Sequence, residues 1–160
     1  HALLVVGLSR LDGLTFTADY TIARTLRNGL ANVNVEWIDR FVVYKALPPG
    51  AGNPVDQIVG SCKTGAFGGQ AGPRCNVYRP YTAFEQVQVS NANYFNCATG
   101  GATNCGWPTL SRSDGPTWAD IDYLGVYVKI DRPMMTGLFG ETFTVEYAPV
   151  NRLEPGDIQG

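Results

Sequence analysis

Four cysteines in two close pairs, Cys62 with Cys75 and Cys97 with Cys105, lie in a middle segment rich in glycine, asparagine and proline. Such a segment buries little apolar surface, so covalent cross-links are the feature that can hold it in one shape. Neither pair has the two-residue spacing of a zinc site, and the only histidine is His1. The pattern predicts two structural disulfides in an exported protein, and neighbour pairing is the most local of the possible connectivities.

Length and composition predict one globular domain that spans residues 1–160. Hydrophobic residues make up 44% of the chain and charged residues 16%, which is typical of a chain with a core and not of a disordered one. The formal net charge is −2 and there is no basic run, which argues against nucleic acid as a partner. The sequence contains no internal repeat and no apolar stretch long enough to cross a bilayer.

Residues 1–30 are predicted to form a helical N-terminal segment. Apolar residues recur there at helical spacing, namely Phe16, Tyr20, Ala23, Leu26 and Leu30. Thr17 is a suitable N-cap, and Asn28-Gly29 is a suitable C-terminal stop. Asp19 falls in the first turn, where the helix dipole favours an anion, and the pattern assigns it to the polar face.

Residues 31–47 and 119–152 are predicted to form a sheet. The continuous apolar run Phe41–Tyr44 indicates a central strand. Alternation in Tyr123–Asp131 and again in Glu141–Val150 indicates two strands that form an antiparallel hairpin. The apolar face of the N-terminal helix must be buried against another element, and the predicted sheet is the element that can bury it.

Residues 48–118 are predicted to be disulfide-stapled loops, because Gly, Pro, Asn and Ser interrupt every regular pattern there. The exception is one short alternating piece, Phe84–Val89, which is typical of a strand. The predicted fold class is therefore α+β, with an N-terminal helix packed on an antiparallel sheet. We expect the following side chains to meet across that contact: Tyr20, Leu26 and Leu30 with Val126, Val128 and Val145.

Six short motifs, in their order along this chain, carry a resemblance to a known family. They are Ala18-Asp19-Tyr20, Phe41-Val42-Val43-Tyr44-Lys45-Ala46, Cys75-Asn76-Val77-Tyr78, Asp122-Tyr123-Leu124-Gly125-Val126-Tyr127-Val128, Thr136-Gly137-Leu138-Phe139-Gly140 and Arg152-Leu153-Glu154-Pro155. From about Asp19 to Pro155 the chain resembles the extracytoplasmic part of the TadE-like proteins. These are the minor pilins or pseudopilins of tight-adherence (Tad, type IVc) pili, and the likeness is to the form common in actinobacteria.

The resemblance implies a pilin-like fold and a role in pilus assembly without catalysis. The implied partners are other pilus subunits or assembly proteins and no nucleic acid. The implied membrane contact is through an anchor that this sequence does not include. The expected location is extracytoplasmic, in the cell envelope or at the cell surface, with anchoring in the plasma membrane before or during assembly. The resemblance supplies no catalytic, metal-binding or cofactor-binding residue.

The residues themselves also predict no reaction centre. A terminal His1 is a poor general base, and it lacks the second histidine that a copper site needs. Five carboxylates lie in the C-terminal half: Asp114, Asp120, Asp122, Glu141 and Glu146. Their spacing is not that of an EF-hand loop, which favours solvated turn carboxylates over a calcium site. We therefore expect no enzyme, no metal and no cofactor.

The predicted hairpin tip is a candidate contact surface. Met134, Met135, Leu138 and Phe139 lie in Pro133–Gly140, a stretch without charge. If exposed, this stretch would bind a partner or face a membrane, because soluble monomers seldom leave so much contiguous apolar surface in water. The alternative is that Leu138 and Phe139 cap the core. We expect Phe139 to cap the core. We expect Met134 and Met135 to contact a partner, because their flexible thioethers suit adaptable interfaces.

Aromatic residues of the middle segment are a second candidate surface. They are Tyr78, Tyr81, Phe84, Tyr94, Phe95, Trp107 and Trp118. Aromatic residues on a rigid loop make good binding anchors for another subunit or for a glycan. The second option is the rival function, a secreted glycan- or surface-binding module. The competing and more usual interpretation is that these rings form the segment's own small core.

Overall fold

The structure of the protein is a computed structural model that describes residues 18–48, 58–65, 73–96, 104–108, 111–112, 122–133, 142–148 and 150–152. These residues contain three α-helices: α1 (Ala18–Gly29), α2 (Gly60–Thr64) and α3 (Pro80–Gln88). They contain six strands: β1 (Ile38–Ala46), β2 (Cys75–Tyr78), β3 (Asn104–Cys105), β4 (Tyr123–Pro133), β5 (Thr142–Tyr147) and β6 (Val150–Arg152). Two 3-10 turns lie at Val35–Trp37 and Ala92–Phe95.

All strands of the described sheet pair antiparallel, in the order β3-β2-β1-β4-β5, and β6 also pairs with β4. The predicted central strand is confirmed, because Phe41–Tyr44 is buried and β1 pairs with β2 on one side and β4 on the other. The predicted hairpin of β4 and β5 is confirmed as well, with Pro133 opposite Thr142 at its end. Helices and an antiparallel sheet together give the α+β class that the sequence predicts.

Helix α1 packs on one face of this sheet, as its apolar spacing predicts. Tyr20, Ile22 and Leu26 belong to one buried cluster with Val126 and Val128 of β4. Leu30, just beyond the helix, packs against the same cluster and is partly buried. The predicted residues Phe16 and Thr17, like the rest of 1–17, lie outside the described residues.

Val145 of β5 does not join this contact, and that expectation is wrong. Its side chain is 41% exposed, and that of Phe143 is 55% exposed. Among the strands, β1, β2 and β4 contribute described side chains to the cluster under the helices, and β5 contributes none. The helices therefore cover the middle of the sheet and leave Phe143 and Val145 of β5 exposed on the same side.

The piece Phe84–Val89 is not strand-like, because most of it lies in α3. Pro80 occupies the first turn of this helix, where its missing N–H costs nothing. Pro80, Ala83, Phe84 and Val87 are buried at helical spacing, and the last three pack on the same face of the sheet as α1. The six-residue alternation predicted a strand, but the 3.6-residue period of the longer segment from Pro80 determines the helix.

The opposite face of the sheet is covered by a short element that a disulfide fixes. Cys62 of α2 is bonded to Cys75 of β2, which confirms the first predicted disulfide. Ile58 and Cys62 pack there on side chains of β1 and on Tyr127 of β4. The ring of Tyr44 lies over Gly125 on the neighbouring strand, in the space that a Cβ would need.

The middle segment 48–118 is thus more regular than stapled loops. Its described residues include α2, α3, β2 and β3, and β2 lies beside the central strand. Cys105 ends β3 and is disulfide-bonded. Cys97 lies outside the described residues, so its predicted pairing stays a prediction. None of the described helices combines the length and apolar character that a membrane crossing requires.

Candidate functional site

The side chains predicted to form a contact surface at the hairpin tip, Met134, Met135, Leu138 and Phe139, lie outside the described residues. The two strands that flank this connection are described. On β5, directly after it, Phe143 and Val145 are exposed large hydrophobic residues. The structure therefore places exposed apolar surface next to the predicted tip, on a strand whose alternation predicted a buried face.

The candidate aromatic surface proves to be core in its greater part. Tyr78, Phe84, Phe95 and Trp107 are buried within the cluster under α1 and α3. Phe41 stacks on Tyr78 with 5.0 Å between ring centroids, and other rings of the set contact one another at 5.1 to 6.5 Å. These contacts support the interpretation that the rings form their own core. Tyr94 is half-buried at its edge.

One member of that aromatic set is available to a ligand. Tyr81 is 61% exposed on α3. It lines two adjoining cavities of about 560 Å³ and 410 Å³, and Val35 lines both of them as well. The first cavity also has Glu36 and Arg79 in its wall, so the groove is mixed in polarity. Trp118 lies outside the described residues.

A buried polar network ties α1 to β2, and sequence patterns alone did not reveal it. Asp19 is fully buried, so its assignment to a solvent-facing polar side of the helix is wrong. Its carboxylate accepts hydrogen bonds from Asn76 Nδ2 at 2.8 Å and from Tyr78 Oη at 2.5 Å. Arg112 Nη2 lies 2.7 Å from the other carboxylate oxygen. Three partners thus compensate the cost of burying the charge.

Asn76 extends this network to the segment after β3. Its Nδ2 also donates to the backbone oxygen of Trp107 at 2.9 Å, and its Oδ1 accepts from the backbone N–H of Trp107 at 2.9 Å. Arg112 donates to the same backbone oxygen at 3.3 Å and stacks over the Trp107 ring at 4.5 Å. One asparagine and one arginine therefore fix the position of the chain after Cys105.

The network also changes the acidity of Tyr78. Burial raises the pKa of the Tyr78 phenol well above its usual value, and the neighbouring charge of Asp19 and the hydrogen bond to it raise the pKa further. The phenol is thereby kept protonated and remains a hydrogen-bond donor. This geometry suits a structural link, because the donor and its acceptor have no access to solvent.

A second polar cluster lies on the opposite face, where β4 and β5 pair. Glu146 accepts a hydrogen bond from Tyr127 Oη at 2.9 Å and lies 3.4 Å from Lys63 Nζ. Burial, followed by the hydrogen bond to Glu146, raises the pKa of Tyr127. Lys129 contacts Asp131 at 2.9 Å; the hydrogen bond between them raises the pKa of the lysine and lowers that of the aspartate. Opposite charges alternate here, as in a surface ion-pair network.

The carboxylates considered for catalysis or calcium do not converge among the described residues. Asp122, directly before β4, is buried and pairs with Lys45 at 2.5 Å. Glu146 lies on β5, opposite Lys129 of β4. The described ranges contain no group of three or more His, Cys, Asp or Glu side chains placed to hold a metal ion. The remaining candidates, Asp114, Asp120, Glu141 and His1, lie outside those ranges.

No protein-family model, curated protein or solved structure matches this chain.

Proposed function

We propose that this chain is the pilin-like extracytoplasmic domain of a TadE-like minor pilin or pseudopilin, a non-enzymatic subunit of a surface pilus or of its assembly complex. The observation that carries the proposal is the meeting of two family motifs in the interior. Asp19 of the first motif is hydrogen-bonded to Asn76 and Tyr78 of the third. Residues of the two motifs are thereby joined in one core, as a shared architecture would require.

Two further motifs support the same conclusion. The motif Phe41–Ala46 forms most of β1, and Tyr123–Val128 forms the first half of β4. They pair residue by residue, with Phe41 opposite Val128 and Ala46 opposite Tyr123. Four of the six motifs thus define one helix-on-sheet core, which is the architecture that the resemblance implies.

The proposed partners are other pilus subunits or assembly proteins, met at the hairpin of β4 and β5. The exposed side chains of Phe143 and Val145 provide apolar contact area there. The Cys62–Cys75 disulfide suits an oxidising location outside the cytosol. In this proposal an anchor outside the present sequence holds the subunit in the plasma membrane before or during assembly.

A deletion and complementation experiment in the native host tests the proposal. Surface filaments counted by electron microscopy are expected to disappear on deletion and to return with the wild-type gene. A Met134→Asp/Met135→Asp variant is expected to be exported but to restore few filaments. Val89→Asp is the matched control, because Val89 is 69% exposed at the end of α3, outside the hairpin. Filaments that are unchanged in number and length after deletion would contradict the proposal.

The exposed ring of Tyr81 beside a groove favours the rival function, a secreted glycan- or surface-binding module. A glycan array distinguishes the two proposals. Binding that is lost in Tyr81→Ala and kept in Tyr81→Phe would support the rival. Trp107 is not a useful probe for this purpose, because it is fully buried and its replacement would damage the core.

A further inference from the structure

Two disulfide-bonded cysteines, Cys75 of β2 and Cys105 of β3, are close neighbours in the sheet. Cys105 lies opposite Asn76, the residue that directly follows Cys75 in the chain. The two cysteines are therefore one position out of register with each other on paired strands. Cys75 is bonded instead to Cys62 of α2, so the fold directs it away from the cysteine on the neighbouring strand.

The side chains of these two cysteines lie on opposite faces of the sheet. Cys75 packs with Cys62 in the cluster on the α2 side. Asn76 lies on the other face, because its side chain is hydrogen-bonded to Asp19 of α1. Residues opposite each other on paired strands share a face, and the Sγ atom of Cys105 lies 3.4 Å from Asn76 Oδ1. Cys105 is thus on the helix side, and the sheet separates its sulfur atom from that of Cys75.

A slip of β3 by one residue would remove this separation. It would bring Cys105 directly opposite Cys75 and turn its side chain to the α2 face, because side chains alternate along a strand. Residues directly opposite in an antiparallel pair have Cα atoms about 4.5–5.5 Å apart, which is within the range that a disulfide bridges. The ladder that opposes such a slip is short. Strand β3 comprises Asn104 and Cys105, and one further backbone bond runs from Gly106 N to Cys75 O at 2.8 Å.

The side-chain amide of Asn76 adds a second constraint on the register. Its Oδ1 accepts a hydrogen bond from the backbone N–H of Trp107, and its Nδ2 donates to the backbone oxygen of the same residue, both at 2.9 Å. Trp107 lies two residues after Cys105, and its ring is fully buried in the cluster under the helices. A slip by one residue would break both hydrogen bonds and would withdraw the ring from that cluster.

We propose that Asn76 is the positioning residue that selects the disulfide connectivity, because its bonds to Trp107 hold Cys105 on the face opposite Cys75. A bond from Cys105 to Cys75 or to Cys62 would have to cross the sheet, since both of these cysteines lie on the α2 side. Pairing in a glutathione buffer proceeds by thiol–disulfide exchange. For each bond formed, two cysteine thiols lose two protons and two electrons, and one molecule of oxidised glutathione is reduced to two thiols. The strand register decides which thiols meet in this reaction.

Oxidative refolding of the full chain tests the proposal. The reduced and denatured chain is refolded in a glutathione buffer, and free thiols are alkylated. Mass spectrometry of unreduced digests with chymotrypsin and elastase then measures the peptide that contains a Cys75–Cys105 bond. We expect it to be a minor product in the wild type, next to the Cys62–Cys75 peptide. Asn76→Leu loses both bonds to Trp107, so the ratio of the two peptides should rise about tenfold or more.

Tyr78→Phe is the matched control on the same strand and the same face. It removes a hydrogen bond to Asp19 but leaves the bonds between Asn76 and Trp107 in place, so the disulfide pairing should not change. Because this control also weakens the core, a general loss of stability would affect both variants. Mispairing that rises equally in Asn76→Leu and Tyr78→Phe would contradict the proposal.

A second variant keeps the proposal falsifiable if Asn76→Leu does not fold. In Cys62→Ser, Cys75 has lost its partner while the bonds between Asn76 and Trp107 remain, so Cys75 should still not be bonded to Cys105. Circular dichroism identifies the folded variants. A Cys75–Cys105 bond as the main product of folded Cys62→Ser overturns the proposal, and so does unchanged pairing in folded Asn76→Leu. These assays use the purified chain alone, so their outcome is independent of whether the pilus proposal holds.

Discussion

Tyr78 donates a hydrogen bond of 2.5 Å to the carboxylate of Asp19, although 59 positions separate the two residues in the chain. The bond joins the first turn of α1 to the second strand of the sheet, in a place that water does not reach. Asp19 is held at the same time by Arg112, so a helix, a strand and the segment after β3 depend on one carboxylate.

Removal of the Asp19 charge should be strongly destabilising. Asp19→Asn leaves the Arg112 guanidinium buried without its counter-charge, which should lower the free energy of unfolding by about 3–5 kcal/mol. The double variant Asp19→Asn/Arg112→Met removes both charges and should recover part of the loss. Urea unfolding followed by circular dichroism measures both values. A double variant no more stable than Asp19→Asn would show that the pair is not coupled.

The raised pKa of Tyr78 predicts a loss of stability in alkali. An unfolded tyrosine ionises near pH 10, whereas burial and Asp19 hold the folded phenol protonated to higher pH. The stabilisation is complete below about pH 10 and is lost as the pH rises above it, because the unfolded chain releases its proton first. Tyr78→Phe should unfold with a shallower pH dependence from pH 9 upward.

The control for this titration is Tyr81→Phe, which removes the hydroxyl of an exposed ring. Its pH profile should follow that of the wild type. At neutral pH Tyr78→Phe alone should cost about 1.5–3 kcal/mol, since a hydrogen bond to a charged group is lost. Identical alkaline profiles for both variants would argue against the role assigned to Tyr78.

Gly125 should not tolerate a side chain. A methyl group at this position would overlap the buried ring of Tyr44 on the neighbouring strand. Gly125→Ala should therefore lower stability by about 1–3 kcal/mol, as overpacking of a core does. Gly60→Ala is the matched control, because a Cβ there meets nothing within 4 Å and the residue begins α2. Equal melting temperatures for the two variants would contradict the close packing of Tyr44 on Gly125.

Ser90 offers a stabilising substitution. Helix α3 ends with hydrogen bonds from Ser90 N to Val87 O and from Asn91 N to Gln86 O, and Ser90 has φ of 56° in the left-handed region. Glycine adopts this conformation without the steric cost that a Cβ adds, so Ser90→Gly should raise stability by about 1 kcal/mol. Ser61→Gly in α2 is the control and should lower stability. Calorimetric melting temperatures report both changes, and a lower value for Ser90→Gly would refute the assignment.

The Cys62–Cys75 bond should stabilise the sheet and not only the short helix beside it. Because Cys75 lies on β2 next to β1, Cys62→Ser/Cys75→Ser should cost about 2–4 kcal/mol and speed amide exchange in β1 as well as in α2. Hydrogen exchange with mass spectrometry resolves the two regions. If amide exchange became faster only in α2, the prediction would be contradicted. The disulfide would then stabilise a lobe that is separate from the sheet, as the sequence suggested.

Helical spacing and alternation of apolar residues correctly predicted the elements in which those patterns are long enough to be recognised. The apolar spacing of Tyr20, Ala23 and Leu26 gave α1, and the alternation from Leu124 to Ile130 gave β4 with the correct face toward the helices. Helix α3 was missed because a six-residue window at Phe84–Val89 alternates, while its helical period becomes visible only from Pro80 onward.

What the sequence could not predict depends on distant partners. Asp19 looked like a dipole-stabilising surface residue, because the residues that bury it are 57 to 93 positions away. Nothing in the sequence around Arg112 marks it as a partner for α1. For β5, alternation shows that Phe143 and Val145 share a face, but it does not show which helix, if any, covers that face.

The cross-link between Cys62 and Cys75 also limits how far the chain can be drawn out by force. The two residues are 13 positions apart and their Cα atoms are held at 6.2 Å. An extended chain spans about 3.3–3.6 Å per residue, so the bond withholds about 40 Å of length from a molecule pulled at both ends. When the chain is pulled at both ends, the residues between Cys62 and Cys75 cannot extend, because the disulfide bypasses them. The force therefore acts directly on β2, the strand that carries Cys75.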